Sequence, residues 1–268
     1  MSEARMQETP EYKPGTFCWV ELATSDNEAA KTFYTKLFGW TFVDHPMGPG
    51  MVYTMLQLNG KDVGALYKLM PDQVSMGVPP NWLSYISVTS ADESTEKAKA
   101  AGATVLKEPF DVMTVGRMSI IQDPTGAVFA LWQAGEHGGA GIYNIPGSFC
   151  WNELMTTDTT KDRAFYTTVF GWDADMQNFG PVEYTMFSNG GRPAGGMLQI
   201  TPDMGPIPSN WLVYFAVDDC DANVQKATEL GAKICKPADD IPGVGRFAIL
   251  TDPQGAGFAI IKLENPQV

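Results

Sequence analysis

Two histidines, His45 and His137, are all the imidazole this chain carries, and its four cysteines, Cys18, Cys150, Cys220 and Cys235, never approach a C-x-x-C spacing. So thin a supply of soft donors excludes a His- or Cys-rich metal centre and a disulfide framework. Basic side chains are also scarce: 18 Lys and Arg stand against 31 Asp and Glu, a net charge of −13. The basic residues are scattered, which argues against a nucleic-acid partner, because binding a phosphate backbone needs clustered positive charge. No apolar run approaches the ~20 residues that a bilayer-spanning helix requires. The opening MSEARMQETPEYKPG has no apolar h-region and reads as a polar arm over residues 1–14, not a secretory signal. Unpaired thiols and the lack of a signal predict a reducing, cytoplasmic setting. P-loop, G-x-S-x-G and dinucleotide-binding fingerprints are absent too.

What the chain does have, it has twice. FCWVEL at Phe17–Leu22 returns as FCWNEL at Phe149–Leu154, and the duplication continues in order. Phe38-Gly39-Trp40 becomes Phe170-Gly171-Trp172, Asn81-Trp82-Leu83 becomes Asn210-Trp211-Leu212, and Asp123-Pro124 becomes Asp252-Pro253. The offset slips only from 132 to 129 positions, so the halves differ by small insertions. Repetition on this scale predicts two homologous domains, 15–133 and 148–268, with the Gly-rich segment 134–147 as the linker.

Each half contains the same rhythm. Phe17–Leu22 alternates, with Cys18, Val20 and Leu22 on one face and Phe17, Trp19 and Glu21 on the other, the period of a strand. Ser25 with Glu28 has capping-box spacing, opening a helix whose apolar stripe is Ala30, Phe33, Leu37 and Phe38, with Gly39 as the stop. Strands are expected over 40–43, 51–58 and 63–69. The pattern then restarts with a strand at 82–88, a helix at 91–101, and strands near 104–106, 118–122 and 127–132. The predicted class is α+β: four βαβββ units forming two domains.

These residues resemble the vicinal oxygen chelate superfamily, which includes glyoxalases, bleomycin-resistance proteins and extradiol dioxygenases. The resemblance is carried by SDNEAAKTFYTKLFGW, ADESTEKAKAAGATVLKEP and DPTGAVFALW, and by their second copies TDTTKDRAFYTTVFGW, DDCDANVQKATELGAKICKP and DPQGAGFAII. It covers roughly residues 15 to 264. It implies that paired units curl into an open U around a cavity, where catalytic members hold a divalent metal with His, Gln or Glu. It also places the chain near two-domain proteins labelled glyoxalase-like or hydroxylase.

Carried over position by position, the family's metal ligands fall on Trp19 and Trp151, near Leu83 and Leu212, and on Ala130 and Ala259. None of these side chains ligates a divalent cation, and both histidines fall in expected loop or linker segments. The expectation is therefore no metal and no other cofactor. Strand parity leaves Glu21 and Glu153 facing the cavities as candidate catalytic acid/base groups, or as hydrogen-bonded anchors with no chemical role. Trp19, Tyr53, Tyr85, Trp151, Tyr184 and Tyr214 are candidate ligand-binding residues, and Trp82 and Trp211 add to the aromatic character expected of the cavities. Arg117 and Arg246 are candidate partners for an anionic ligand, with a surface ion pair as the alternative. Cys18 and Cys150 have no partnering His and are expected in the core.

Three functions fit. The leading one is a metal-independent module that binds a small organic molecule. The second is a glyoxalase-like lyase or hydroxylase/dioxygenase-type enzyme working through Glu21 or Glu153. The third is a scaffold whose cavities are filled by its own tryptophans. The expected partner is a small molecule, with no nucleic acid and no membrane, on a chain that is a monomer or a homodimer.

Overall fold

The computed structural model describes residues 11–179 and 182–265. The arm's first ten residues thus lie outside the described part. The first half runs β1 (Phe17–Thr24), α1 (Asn27–Phe38), β2 (Thr41–Gly48), β3 (Met51–Leu58), β4 (Lys61–Lys68), the short α2 (Pro71–Ser75), β5 (Asn81–Ser87), α3 (Ala91–Ala100), β6 (Thr104–Val112), β7 (Gly116–Gln122) and β8 (Val128–Ala134). The second runs β9 (Phe149–Thr156), α4 (Thr159–Phe170), β10 (Asp173–Phe179), β11 (Val182–Asn189), β12 (Arg192–Gln199), a 3-10 turn (Pro202–Met204), β13 (Asn210–Ala216), α5 (Cys220–Glu229), β14 (Lys233–Ile241), β15 (Gly245–Thr251) and β16 (Gly257–Leu263).

Helix α1 starts where the sequence predicts but by a different cap. Asp26, not Ser25, accepts the Ala29 amide at 3.1 Å. Gly39 closes the helix in the left-handed region at φ 74°, where a side chain would be strained. The second copy does the same with Asp158 and Gly171.

Pairing of units, undecided by the sequence, is settled within each half. The two sheets have the order β2-β3-β4-β1-β5-β8-β7-β6 and β10-β11-β12-β9-β13-β16-β15-β14. The central antiparallel contacts, β1 with β5 and β9 with β13, join two units of one half into one curled sheet. Across the halves the convex faces and helices pack together, α1 against α5 and α3 against α4. Two matching chains of hydrogen bonds fasten this junction. Trp82 donates to the Tyr34 hydroxyl (2.9 Å), which donates to Asp252 (2.9 Å); Trp211 donates to Tyr166 (2.7 Å), which donates to Asp123 (2.8 Å).

One sequence expectation fails at the first strand. The register shifts between Phe17, opposite Ile86, and Trp19, opposite Tyr85, so Cys18 is the extra residue of a β-bulge. The bulge turns Phe17 away from the face of Trp19 and Glu21, onto Trp211 (4.9 Å between ring centroids) and Trp172 of the other half. A matching shift separates Phe149 from Trp151. The linker, too, is closely packed: the Ala140 amide donates to the Cys18 carbonyl and the Gly141 amide to that of Asp62. Tyr12 donates to the Ala140 carbonyl, tying the described end of the arm to it.

Candidate functional site

The concave face of each sheet carries one carboxyl group in the same setting. On β1, Glu21 stands opposite Leu83 of β5 and Ala65 of β4, at the middle of the sheet. Tyr53 donates its hydroxyl to Glu21 Oε2 at 2.6 Å, and Tyr85 donates to Oε1 at 3.0 Å. The Trp19 side chain lies beside the Tyr53 hydroxyl. In the second half Trp151 Nε1 donates to the Tyr184 hydroxyl at 2.9 Å, Tyr184 lies beside Glu153, and Tyr214 donates to Glu153 Oε1 at 2.8 Å. Each half thus gathers a Trp, two Tyr and a Glu around one buried carboxyl, with two tyrosine hydroxyls on Glu21 and one on Glu153.

Burial pushes both carboxyls above the ordinary glutamate range, and the tyrosine hydroxyls, which stabilise the charged form, only partly oppose it. Tyr53, Tyr85, Tyr184 and Tyr214 are all held well above the normal phenol value, by burial first and the adjacent carboxylate second. They remain protonated donors at any physiological pH. Around this polar centre the walls are largely apolar: Leu83, Phe110, Met118 and Ile120 in the first half, and Met155, Leu198, Leu212, Phe247 and Ile249 in the second. Such a site can accept a hydrogen bond from a ligand. When protonated, it can donate one, or a proton.

The structure brings Glu21 and Tyr85 together, and Glu153, Trp151 and Tyr214, as strand parity predicts, and adds the mid-strand Tyr53 and Tyr184 to them. It moves other candidates elsewhere. Trp19 is only 4% exposed, sitting behind Tyr53 with its ring edge-on to His137 at 4.7 Å. It supports the site without lining it. Trp82 and Trp211 lie on the opposite sheet face, in the junction between halves, because each is one residue out of phase with the cavity-facing Leu83 or Leu212. Arg117 and Arg246 are occupied as well. Arg117 makes a forked bond to Asp92 (2.7 and 2.8 Å) and another to Asp111, and Arg246 repeats this with Asp221 and Asp240. Two carboxylates per guanidinium leave no charge for an anionic ligand, so the ion-pair alternative holds.

The histidines need a similar correction. His45 lies within β2, paired with Tyr53, not in a turn. His137 is wedged against Trp19 and Trp132, and burial lowers its pKa.

Sequence reasoning missed Tyr67 and Gln73, which stand beside the Glu21 cluster. Gln73 donates to the Tyr67 hydroxyl at 2.9 Å. Tyr67 has the parity of Ala65 and was findable by alternation along β4; Gln73 sits on α2, which carries no apolar periodicity.

A metal does not fit the positions where the resemblance would put one. Trp19, Leu83 and Ala130 in one half, and Trp151, Leu212 and Ala259 in the other, present no donor suited to a divalent cation. Among the described residues no group of three His, Cys, Asp or Glu side chains could hold one.

Fold and site together define a two-domain βαβββ-repeat protein with one tyrosine-held carboxyl in each concavity. The chain belongs to the Glyoxalase/Bleomycin resistance protein/Dioxygenase superfamily, whose model matches residues 16–131 and again 149–260. It is 44% identical over 259 residues to the Mycobacterium tuberculosis protein named "Putative glyoxylase CFP32", covering 96% of this chain and 98% of that one. It is 35% identical to the anthracycline biosynthesis protein DnrV of Streptomyces peucetius, over 95% of each. Among solved structures, its fold is similar to the Mn(II)-bound glyoxalase from Novosphingobium aromaticivorans (TM-score 0.64, 17% identity, 95% of this chain and 86% of that one). It is also similar to the 2,3-dioxygenase LapB from Pseudomonas sp. KL28 (TM-score 0.65, 10% identity, 97% and 96%). No helix among the described residues is long and apolar enough to cross a membrane.

Proposed function

We propose that each half binds a small, flat organic molecule between its apolar walls, with Glu21 or Glu153 as the polar anchor and no metal in either cavity. The carrying observation is the duplicated cluster of a Trp, two Tyr and a Glu. A buried carboxyl is costly, and here each accepts a hydrogen bond from at least one tyrosine hydroxyl, between walls that are largely apolar. The likeness to an anthracycline biosynthesis protein supports a polycyclic aromatic ligand. Titration with such a compound, read by quenching of tryptophan fluorescence, tests the reading. Saturable binding that survives dialysis against a chelator is expected. Loss of binding on chelation, restored by a divalent metal, would overturn it.

A second reading is favoured by the raised carboxyl pKa values: Glu21 or Glu153 as the general acid or base of a lyase- or hydroxylase-type reaction. It predicts turnover that is lost in both Glu→Gln variants while binding persists.

A further inference from the structure

The first cavity has a hydrogen-bonding group that the second lacks. Tyr67 and Leu198 occupy matching places: Tyr53 pairs with Tyr67 across β3 and β4, and Tyr184 with Leu198 across β11 and β12. After β4 the chain folds α2 within a loop of residues 69–80, while the corresponding loop, 200–209, is two residues shorter and contains no glutamine. Gln73 Oε1 accepts the Met70 amide at 2.9 Å, which fixes the amide so that its NH2 faces Tyr67. The NH2 then donates to the Tyr67 hydroxyl oxygen at 2.9 Å. A phenol whose oxygen is already accepting still has its own proton to give, and among the described residues no side chain or carbonyl accepts it. Tyr67 lines the open concave face alongside Glu21, Tyr53 and Tyr85. Burial and the nearby Glu21 raise its pKa to about 12, so the proton stays on the phenol.

We propose that Tyr67, oriented by Gln73, is the specificity-determining donor of the first cavity, and that this cavity selects aromatic ligands carrying a carbonyl oxygen. The second cavity, with Leu198 in that place, shows no such preference. The inference rests on the binding role proposed above and deepens it for one of the two cavities.

The test compares 9-fluorenone with fluorene, two flat tricyclic compounds of nearly the same shape that differ by one carbonyl group. Affinity is measured for the full chain and for its Tyr67→Phe, Gln73→Leu and Leu198→Tyr variants. One hydrogen bond corresponds to a preference of about threefold to tenfold for fluorenone at the tighter site. Tyr67→Phe is expected to remove that preference with little change for fluorene, and Gln73→Leu to remove part of it. Leu198→Tyr is expected to strengthen fluorenone binding at the weaker site. Gln73 lies on a surface loop outside the core, so its variant keeps the test valid should Tyr67→Phe fold poorly. If both compounds bind and neither Tyr67→Phe nor Gln73→Leu alters the preference, the inference is overturned while the binding role stands. If the wild-type chain binds neither compound, the binding role falls and the inference with it.

Discussion

The two concavities are copies that have diverged around an unchanged centre. In the first, the linker folds back so that His137, itself packed on Trp132 of β8, covers Trp19, and only 4% of that indole is exposed. In the second, no described segment does the same, and Trp151 is half-buried and lines the cavity. The first half has Ala65 opposite Glu21. The second has Gly196 opposite Glu153, and the Tyr184 ring lies in the space a side chain there would take. The first half adds Tyr67 and Gln73; the second has Leu198. The carboxyl with its two phenols is kept in both, so the polar centre is the constraint and the walls are where the halves differ. The junction between them is asymmetric too. Asp162 is fully buried on α4, hydrogen-bonded to Thr125 and Thr156, and its counterpart on α1 is Ala30.

The largest expected effect separates the two tryptophans. Trp19→Ala should cost about 3–5 kcal/mol in urea unfolding, the usual loss for a large aromatic removed from a packed core. Trp151→Ala should cost clearly less, because its indole is already partly open to the cavity. Equal losses would remove the contrast between a covered and an open site. Next, Gly196→Ala should force Tyr184 to swing away from Trp151 and Glu153, since a Cβ there would overlap its hydroxyl. The expected cost is about 1–3 kcal/mol from parting the Trp151 indole N–H from its acceptor, with ligand binding weakened in the second cavity alone. The reverse change, Ala65→Gly, should leave Tyr53 in place, which a structure of the variant would show.

The pH dependence separates the halves more finely. A carboxyl whose folded pKa lies above its unfolded value holds its proton more tightly when folded, so stability falls as pH rises through the interval between the two. Asp162 is raised to about 6 by burial and by Asp123, which places its loss between roughly pH 4 and 6. Asp162→Asn should flatten that part of the curve, whereas Ala30 offers no such handle on the other side. Glu21→Gln and Glu153→Gln should each remove a similar decline above pH 4.5. A wild-type midpoint that does not change across this range would contradict the buried carboxyls. The smallest effect is expected at the arginines. Arg117→Ala and Arg246→Ala should leave ligand affinity unchanged and the unfolding midpoint nearly so, because both head groups serve solvent-facing ion pairs. A marked loss of affinity in either would return them to the ligand site.

Much of this was legible from the sequence because it depends on local periods. Alternation along β1 and β9 placed Glu21 and Glu153 on the open face, and alternation along β5 and β13 placed Tyr85 and Tyr214 beside them. The duplication predicted two homologous domains with a Glu, a Trp and two Tyr at matching positions. At the paired positions Trp82 and Trp211, one residue of phase sends a side chain to the opposite face of the sheet.

What only the tertiary structure decided depends on partners distant in sequence. The bulge at Cys18 appears only in the pairing with β5, so alternation counted from Phe17 misplaced that ring. Arg117 is captured by Asp92, 25 residues away, and Tyr34 by Asp252, 218 residues away. No local pattern encodes such contacts. The same holds for the pairing of units, since four similar βαβββ segments have compatible edges in more than one combination. In each case the sequence set which face of an element is apolar and which residues repeat. Packing determined which partner each polar group met, because a buried donor or acceptor must find one wherever in the chain it lies.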